Sequence, residues 1–383
     1  MLYFDHAAST QTFSYISKGL EEKAKIFANP SSVHQRGQEA RHILDEARYN
    51  ASKSLEANLE NIIFTSGATE SLNLAIIGHF LFIKNKENKG EFIIQVSPLN
   101  HSSVFKTVNF LSKNFGVKVE KLPIDKLGFI DVEAISDKDL SKSFMVICEH
   151  GNSETGVLQP VAKLGKRIRR IEGRRPKFVV DTAASVVDTE ISLNRQVCDG
   201  LVISGEKFGG LKGSGILLRK KDFEIESIIS GSQEFGYRGG TENLLGIWAI
   251  GEALVQISEK RNVYHEKYLK LHNFLRNFFV HKFTDIKITT PGKDHLAHIF
   301  HFILPSGSAN VFVQQCDLLG LCISAGSACS SGNVRGSAIL MELKYSDAES
   351  LRGVRISFGR ETEIEDMEKM TNILEEVLDK GNF

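Results

Sequence analysis

The chain has few of the features that would set it apart from an ordinary soluble globular protein. Its 383 residues include five cysteines, Cys148, Cys198, Cys316, Cys322 and Cys329, with neither CxxC pairing nor zinc-ligand spacing. No metal site is therefore expected. The odd cysteine count, and an opening MLYFDHAAST without a basic-then-apolar leader pattern, predict reduced thiols and a cytoplasmic protein. No apolar run approaches the ~20 residues of a membrane span, so no membrane partner is expected. Charge of one sign is also missing: 47 Lys and Arg balance 47 Asp and Glu. The densest basic run, KRIRR at 166–170, has helical spacing and reads as a solvated face rather than a nucleic-acid track. Internal repeats and low-complexity segments are absent.

Short β-rich runs alternating with helical patterns fill most of the sequence. NIIFT (61–65), EFIIQVS (91–97), FMVICE (144–149), KFVVD (177–181) and GLVIS (200–204) are apolar runs rather than strict alternations. That pattern predicts the parallel strands of a sheet covered on both faces, hence a doubly wound α/β domain. Ligands of such sheets sit beyond the carboxyl ends of the strands. SGATES, LNHSS, HGNSETG, DTAAS and SGEK all follow strands, so one crevice should gather them. A long helical pattern near 245–280 leads to a second, smaller α+β unit. That unit holds HIFHFIL (298–304), a helix near 308–319, a Gly/Ser-rich stretch and VRISF (354–358). Its closing helix is expected to open with a capping box from Thr362 to Glu365 and to bury Ile364, Met367, Ile373, Leu374 and Val377.

Each strand-end motif has a bland reading and a chemical one. SGATES sets Gly67, Ala68 and Thr69 at a helix N-terminus, either a plain cap or an anion site. Neither GxxxxGK[ST] nor GxGxxG is present there. Asp181 could cap a helix, or could hold a protonated ring nitrogen by a charge-assisted bond. His101 could be structural, could stack on a planar ligand or could move protons. Lys207, in the glycine turn SGEKFGG, could be solvated, could bind phosphate or could form a Schiff base. A phosphate cradle, a strand-end carboxylate, an aromatic His and a lysine together suggest pyridoxal 5'-phosphate (PLP). Far along the chain, SAGSACSSG (324–332) puts Cys329 in a run of small residues expected to form an exposed, mobile loop, where a thiolate can work. The other four cysteines read as buried fillers.

The ordered series YFDHAAST, NPSSVHQRGQEAR, FTSGATESLNLAI, HGNSETGVLQP, YRGGTEN, SAGSACSSG and VRISFGR covers nearly the whole chain. It resembles the cysteine desulfurases of the class V aminotransferase group, and GNVRGSAILMEL resembles the branch with a long cysteine loop. The resemblance implies the PLP-dependent transferase fold type I, with a large PLP-binding domain at 13–255 and a small domain formed by 1–12 and 256–383. It implies that Lys207 carries PLP, that Asp181 pairs with the pyridine nitrogen and that His101 stacks on the ring. Ala68, Thr69, Ser204 and Thr241 are implied to bind phosphate, Thr241 from the second subunit of a homodimer. Arg355 is implied to grip the carboxylate of L-cysteine, and Cys329 to take its sulfur as a persulfide for an acceptor or scaffold protein in iron–sulfur cluster or thio-cofactor synthesis. Asn29 and Asn152 are implied to seat the substrate or the ring.

Three positions depart from the family, all on the cofactor. Glu206 replaces the histidine before the lysine, Ala184 a glutamine that donates to the ring hydroxyl, and Ser153 the second Asn of an Asn-Asn-Glu motif. An ionised glutamate aimed at a phosphate dianion repels it, and each lost donor costs ~1 kcal/mol or more. Two readings stay open: an active desulfurase, or a divergent paralogue with weakened PLP binding acting as scaffold or sulfur relay. Another class V reaction, such as selenocysteine lysis, is the third.

Overall fold

A computed structural model describes residues 1–86, 90–326 and 336–381. Its centre is a seven-stranded sheet in the order Ile62–Thr65, Gly215–Arg219, Gly200–Ser204, Lys177–Asp181, Ser143–Glu149, Ile93–Val96 and Lys118–Lys121. The last five are parallel, and four of them are apolar runs the sequence predicts; Lys118–Lys121 is not among those runs. Gly215–Arg219 runs antiparallel to both of its neighbours, so the sheet is mainly rather than wholly parallel.

The period of two along each strand divides the core between the faces. Phe64, Val146, Val180 and Ile203 join one apolar cluster, while Ile63, Ile147, Val179 and Val202 join the other. The helix Ala68–Lys86 lies with Ser102–Phe115 on the second face. On the first face Gln35–Ser54 packs against the 39-residue helix Leu244–Lys282. Their approach is close: a Cβ at Gly251 would come within 2.9 Å of the Ala47 Cα, so a side chain there would force the helices apart.

The C-terminal part is built on a four-stranded antiparallel sheet, Ser324–Ala325, Gly353–Ser357, Ile299–Ile303 and Lys287–Ile288. The start of the chain is woven into it. Leu2–Tyr3 pairs with Leu321–Cys322, and the Ala7 N–H donates to Ser357 Oγ at 2.9 Å. The expected boundary at 255/256 falls inside Leu244–Lys282, which runs unbroken through it.

The last helix, Ile364–Lys380, corrects the expected capping box by one residue. Glu363 and Asp366 form the box, and the Thr362 hydroxyl instead accepts from the Gly359 N–H at 2.9 Å. With that start Ile364 is exposed, and Met367, Met370, Leu374 and Val377 turn inward. No helix among the described residues is long and apolar enough to cross a membrane.

Candidate active site

The site lies where the parallel strands end, beyond Thr65, Val96, Glu149, Asp181 and Ser204. Lys207 closes a 3-10 turn, Gly205–Lys207, directly after Gly200–Ser204. The glycines around it make a tight return to Gly215–Arg219. Gly205 N–H donates to Ser214 O and Gly210 N–H to Gly205 O, both at 2.9 Å, and a Cβ at Gly205 would meet Ser214 Oγ at 2.3 Å. The turn therefore holds the lysine at the strand end rather than releasing it to solvent. Its ammonium donates to the Ala7 and Ala8 carbonyls at 3.0 and 2.8 Å.

Asp181 ends the neighbouring strand and is only 7% exposed. Burial raises its carboxyl above the ordinary range, against the Ala183 N–H at 3.0 Å and the charges of His101 and Lys207. Three residues far apart in sequence thus meet in one electrostatic neighbourhood. His101 caps the helix Ser102–Phe115, where its Nδ1 accepts from the Ser103 N–H at 3.2 Å. A buried carboxyl raised in this way favours a cationic partner, which the protonated ring nitrogen of PLP supplies. The ring end of the cleft fits that cofactor.

A second cluster gathers the residues expected to bind phosphate. The Ala68 N–H, opening the helix Ala68–Lys86, donates to Ser204 Oγ at 3.3 Å. Gly67, at φ +153°, takes a backbone conformation that side chains rarely adopt, and it lies so close to Gly215 that a Cβ on Gly215 would come within 2.5 Å of the Gly67 Cα. Thr69 and Thr241 are exposed. Three residues before Thr241, Arg238 binds Glu70 on the same helix at 2.8 Å. Burial would raise the Glu70 carboxyl, but Arg238 and the Ser66 N–H hold it below its ordinary value. The cradle also carries an acid: Ser204 Oγ donates to both carboxylate oxygens of Glu206 at 2.8 Å. The phosphate end therefore fits less simply than the ring end.

Arg355 is 3% exposed and already engaged, by Asp5 at 2.7 Å and the Ser153 carbonyl at 2.9 Å. Its Nε has no partner among the described residues. Asn152 is a turn clamp, its Oδ1 accepting from Glu154 N–H, Thr155 N–H and Thr155 Oγ1 and its amide donating to Leu99 O. Asn29 is exposed and accepts from the Ser31 N–H at 2.8 Å. Ala184 packs near Leu296 and Ile299, offering an apolar contact.

Cys329 lies outside the described residues. Of the others, Cys148, Cys198 and Cys316 are buried, and burial pushes all three thiols up, Cys316 to about 12. Cys322 is raised as well, by partial burial and by Asp317. None of these four is set up as a thiolate. Among the described residues no group of His, Cys, Asp and Glu could hold a metal ion.

One site residue escaped the sequence reading. Glu149 ends an otherwise apolar strand and is the register partner of Asp181. Burial pushes its carboxyl up to about 7; Ser97 and Gln159 oppose the rise and Asp181 adds to it. A lone acid in the buried run FMVICE was the available signal.

Comparison with known proteins agrees with this geometry. The chain is 30% identical to "Cysteine desulfurase IscS" of Dictyoglomus turgidum over 388 aligned residues, covering 99% of this chain and 95% of the relative. It superposes on a NifS-like protein with a TM-score of 0.89 at 24% identity, covering 99% of both chains. It is also similar to "SspA in complex with cysteine", with a TM-score of 0.77 at 27% identity, covering 94% of this chain and 99% of that one. Residues 2–370 match the family described as Aminotransferase class-V. The chain belongs to the class-V aminotransferase family.

Proposed function

We propose that the chain is a PLP-dependent cysteine desulfurase, converting L-cysteine to L-alanine and passing the sulfur on as a persulfide of Cys329. The observation that carries this reading is the meeting of Lys207, His101 and the buried Asp181 at adjacent strand ends. Relatives bearing that activity in their names support it, as does a structural neighbour described with cysteine bound.

Lys207 would hold the cofactor aldehyde, Asp181 the ring nitrogen and His101 the ring face. Ala68, Thr69 and Ser204 would hold the phosphate, with Thr241 of a second copy in a homodimer. When bound, PLP supplies the electron sink for bond breaking at the substrate carbons. Arg355 would turn from Asp5 to the substrate carboxylate, a task suited to its planar guanidinium. Asn29 would help seat the substrate, while Asn152 would hold the loop beside the ring. Lys207 would take the substrate α-proton and return it once sulfur has left, with His101 as the alternative base. The Cys329 thiolate attacks the substrate sulfur. The carbon–sulfur bond breaks, a sulfur–sulfur bond forms, and a proton completes the methyl group of alanine. The persulfide then serves a sulfur-acceptor protein in iron–sulfur cluster or thio-cofactor synthesis in the cytoplasm. The domains follow this division of labour, 13–255 holding the cofactor and 1–12 with 256–383 carrying Arg355 and Cys329.

The test is alanine release from L-cysteine under reducing conditions with added PLP. Stoichiometric alanine and sulfide, lost in Lys207→Ala and Cys329→Ala, is the expected result. Protein that stays colourless with PLP and releases no alanine overturns the reading. The Glu206–Ser204 contact favours one alternative, a paralogue with weak cofactor binding that acts as a scaffold.

A further inference from the structure

We propose that Glu206 is a built-in competitor for the cofactor's phosphate, so that phosphate enters the cradle only together with a proton. The inference rests on the PLP reading of the site and concerns how that site fills.

The geometry leaves the acid little choice. Glu206 sits in the turn Gly205–Lys207, two residues after Ser204, with its backbone carbonyl accepting from the Thr10 N–H at 3.0 Å. Both carboxylate oxygens take the Ser204 hydroxyl at 2.8 Å. That hydroxyl also receives the Ala68 N–H at 3.3 Å, so carboxylate, serine and helix N-terminus form a closed chain. A hydroxyl has one proton to give. While Glu206 holds it, Ser204 has none to donate to a phosphate oxygen.

Two anions brought to one hydroxyl cannot both stay fully charged cheaply; carboxylate pairs at such distances share one proton. A phosphate monoester loses its second proton near pH ~6, so a proton lying between phosphate and carboxylate is readily available at neutral pH and scarce above it. The charged and titratable groups on the surrounding elements include Arg360, which nears Gly209 of the same turn and donates to the Gln11 carbonyl, and Lys212 beyond Gly210. Lys207 follows in the turn, committed to the Ala7 and Ala8 carbonyls. Glu70 and Arg238 neutralise each other on the first turn of Ala68–Lys86. His6, on the N-terminal segment, is bonded to Thr10 and to the Tyr3 carbonyl, and burial and Arg360 push its ring down to about 4. His101 and Asp181 belong to the ring end. Among the described residues no hydrogen bond or ion pair joins a cation to Glu206, so a proton brought in with the phosphate is what would relieve the pair.

The experiment compares PLP with pyridoxal, which lacks the phosphate, on the full-length chain and on Glu206→Gln. Affinity is read from the absorption of the lysine adduct between pH 6.5 and 9. Proton uptake is read by calorimetry in two buffers of different ionisation enthalpy. For the wild-type chain, the PLP dissociation constant relative to Glu206→Gln should rise by up to about tenfold per pH unit above neutrality, with about one extra proton taken up. Glu206→Gln should bind PLP at least about tenfold more tightly at pH 8.5 and pyridoxal no better. Glu206→His, which restores a donor, should behave like Glu206→Gln and guards against a folding defect in either variant. Equal pH slopes and equal PLP-to-pyridoxal ratios in all three proteins overturn the proposal while leaving the desulfurase reading standing. Absence of any Lys207 adduct in all three overturns both.

Discussion

The ring end and the phosphate end of the cleft each place an acid at the end of adjacent strands, and the two acids do opposite work. Asp181 is buried and raised by its surroundings, so a cation relieves it. Glu206 takes the Ser204 hydroxyl, one of those proposed to meet an incoming phosphate. On the proposed reading the same functional group would attract the cofactor at one end and resist it at the other, and what differs is the charge it meets. Cofactor capture and cofactor chemistry can therefore be weakened separately.

The sharpest break in that comparison is at the ring end. Lys207→Ala should lower alanine formation by about 10²–10⁴-fold or more, measured by product assay, with the lysine-linked chromophore lost. Asp181→Asn should keep the chromophore and lose about 10²-fold in turnover, because only the charge at the ring nitrogen is removed. Should Asp181→Asn lose PLP altogether, the separation of capture from chemistry fails.

Glu149 extends the comparison to stability. In the cofactor-free chain its carboxyl is raised from the ordinary 4.5 to about 7, so the protonated acid is the form the fold prefers. Its favourable contribution is full below the unfolded value near 4.5 and is lost as pH rises through about 7. Glu149→Gln should therefore stabilise the chain by up to about 3 kcal/mol at pH 8 and by little at pH 4, read from denaturant unfolding. The smallest effect belongs at the exposed rim of the phosphate end. Thr69→Ala removes one hydroxyl and should weaken PLP by about 1 kcal/mol, roughly fivefold, in the same absorption titration.

How much of this was legible depended on how local each signal is. Ile62–Thr65, Ile93–Val96, Ser143–Glu149, Lys177–Asp181 and Gly200–Ser204 showed because apolar runs like these suit strands covered on both faces. Lys118–Lys121 was missed because KVEK lies at the sheet edge with three of its four residues exposed, and edge charge of this kind discourages further pairing. Gly215–Arg219 was missed as well, lying behind the glycine run of the Lys207 turn. Motif order located Lys207, Asp181 and His101, but not what each touches. That Arg355 is bound by Asp5 and that Asn152 clamps its own turn are contacts between distant segments or within a single bend, and residue type does not reveal them. Glu206 was visible as a substitution; only its contact with Ser204 showed where its carboxylate points.

The N-terminal segment has a consequence for how the protein is made. Ala7 and Ala8 hold the lysine through their carbonyls, Asp5 holds Arg355, and Ala7 N–H bonds Ser357, 350 residues along the chain. Asp5 and Ala7 therefore wait for Arg355 and Ser357 before their place in the cleft exists. Contacts of such sequence separation form late, after the loop-closure entropy has been met. Catalytic competence should consequently arise only once residues 353–357 have joined the fold. A chain stopped before residue 353 could hold a formed central sheet and still lack Arg355 and Ser357, the partners of Asp5 and Ala7.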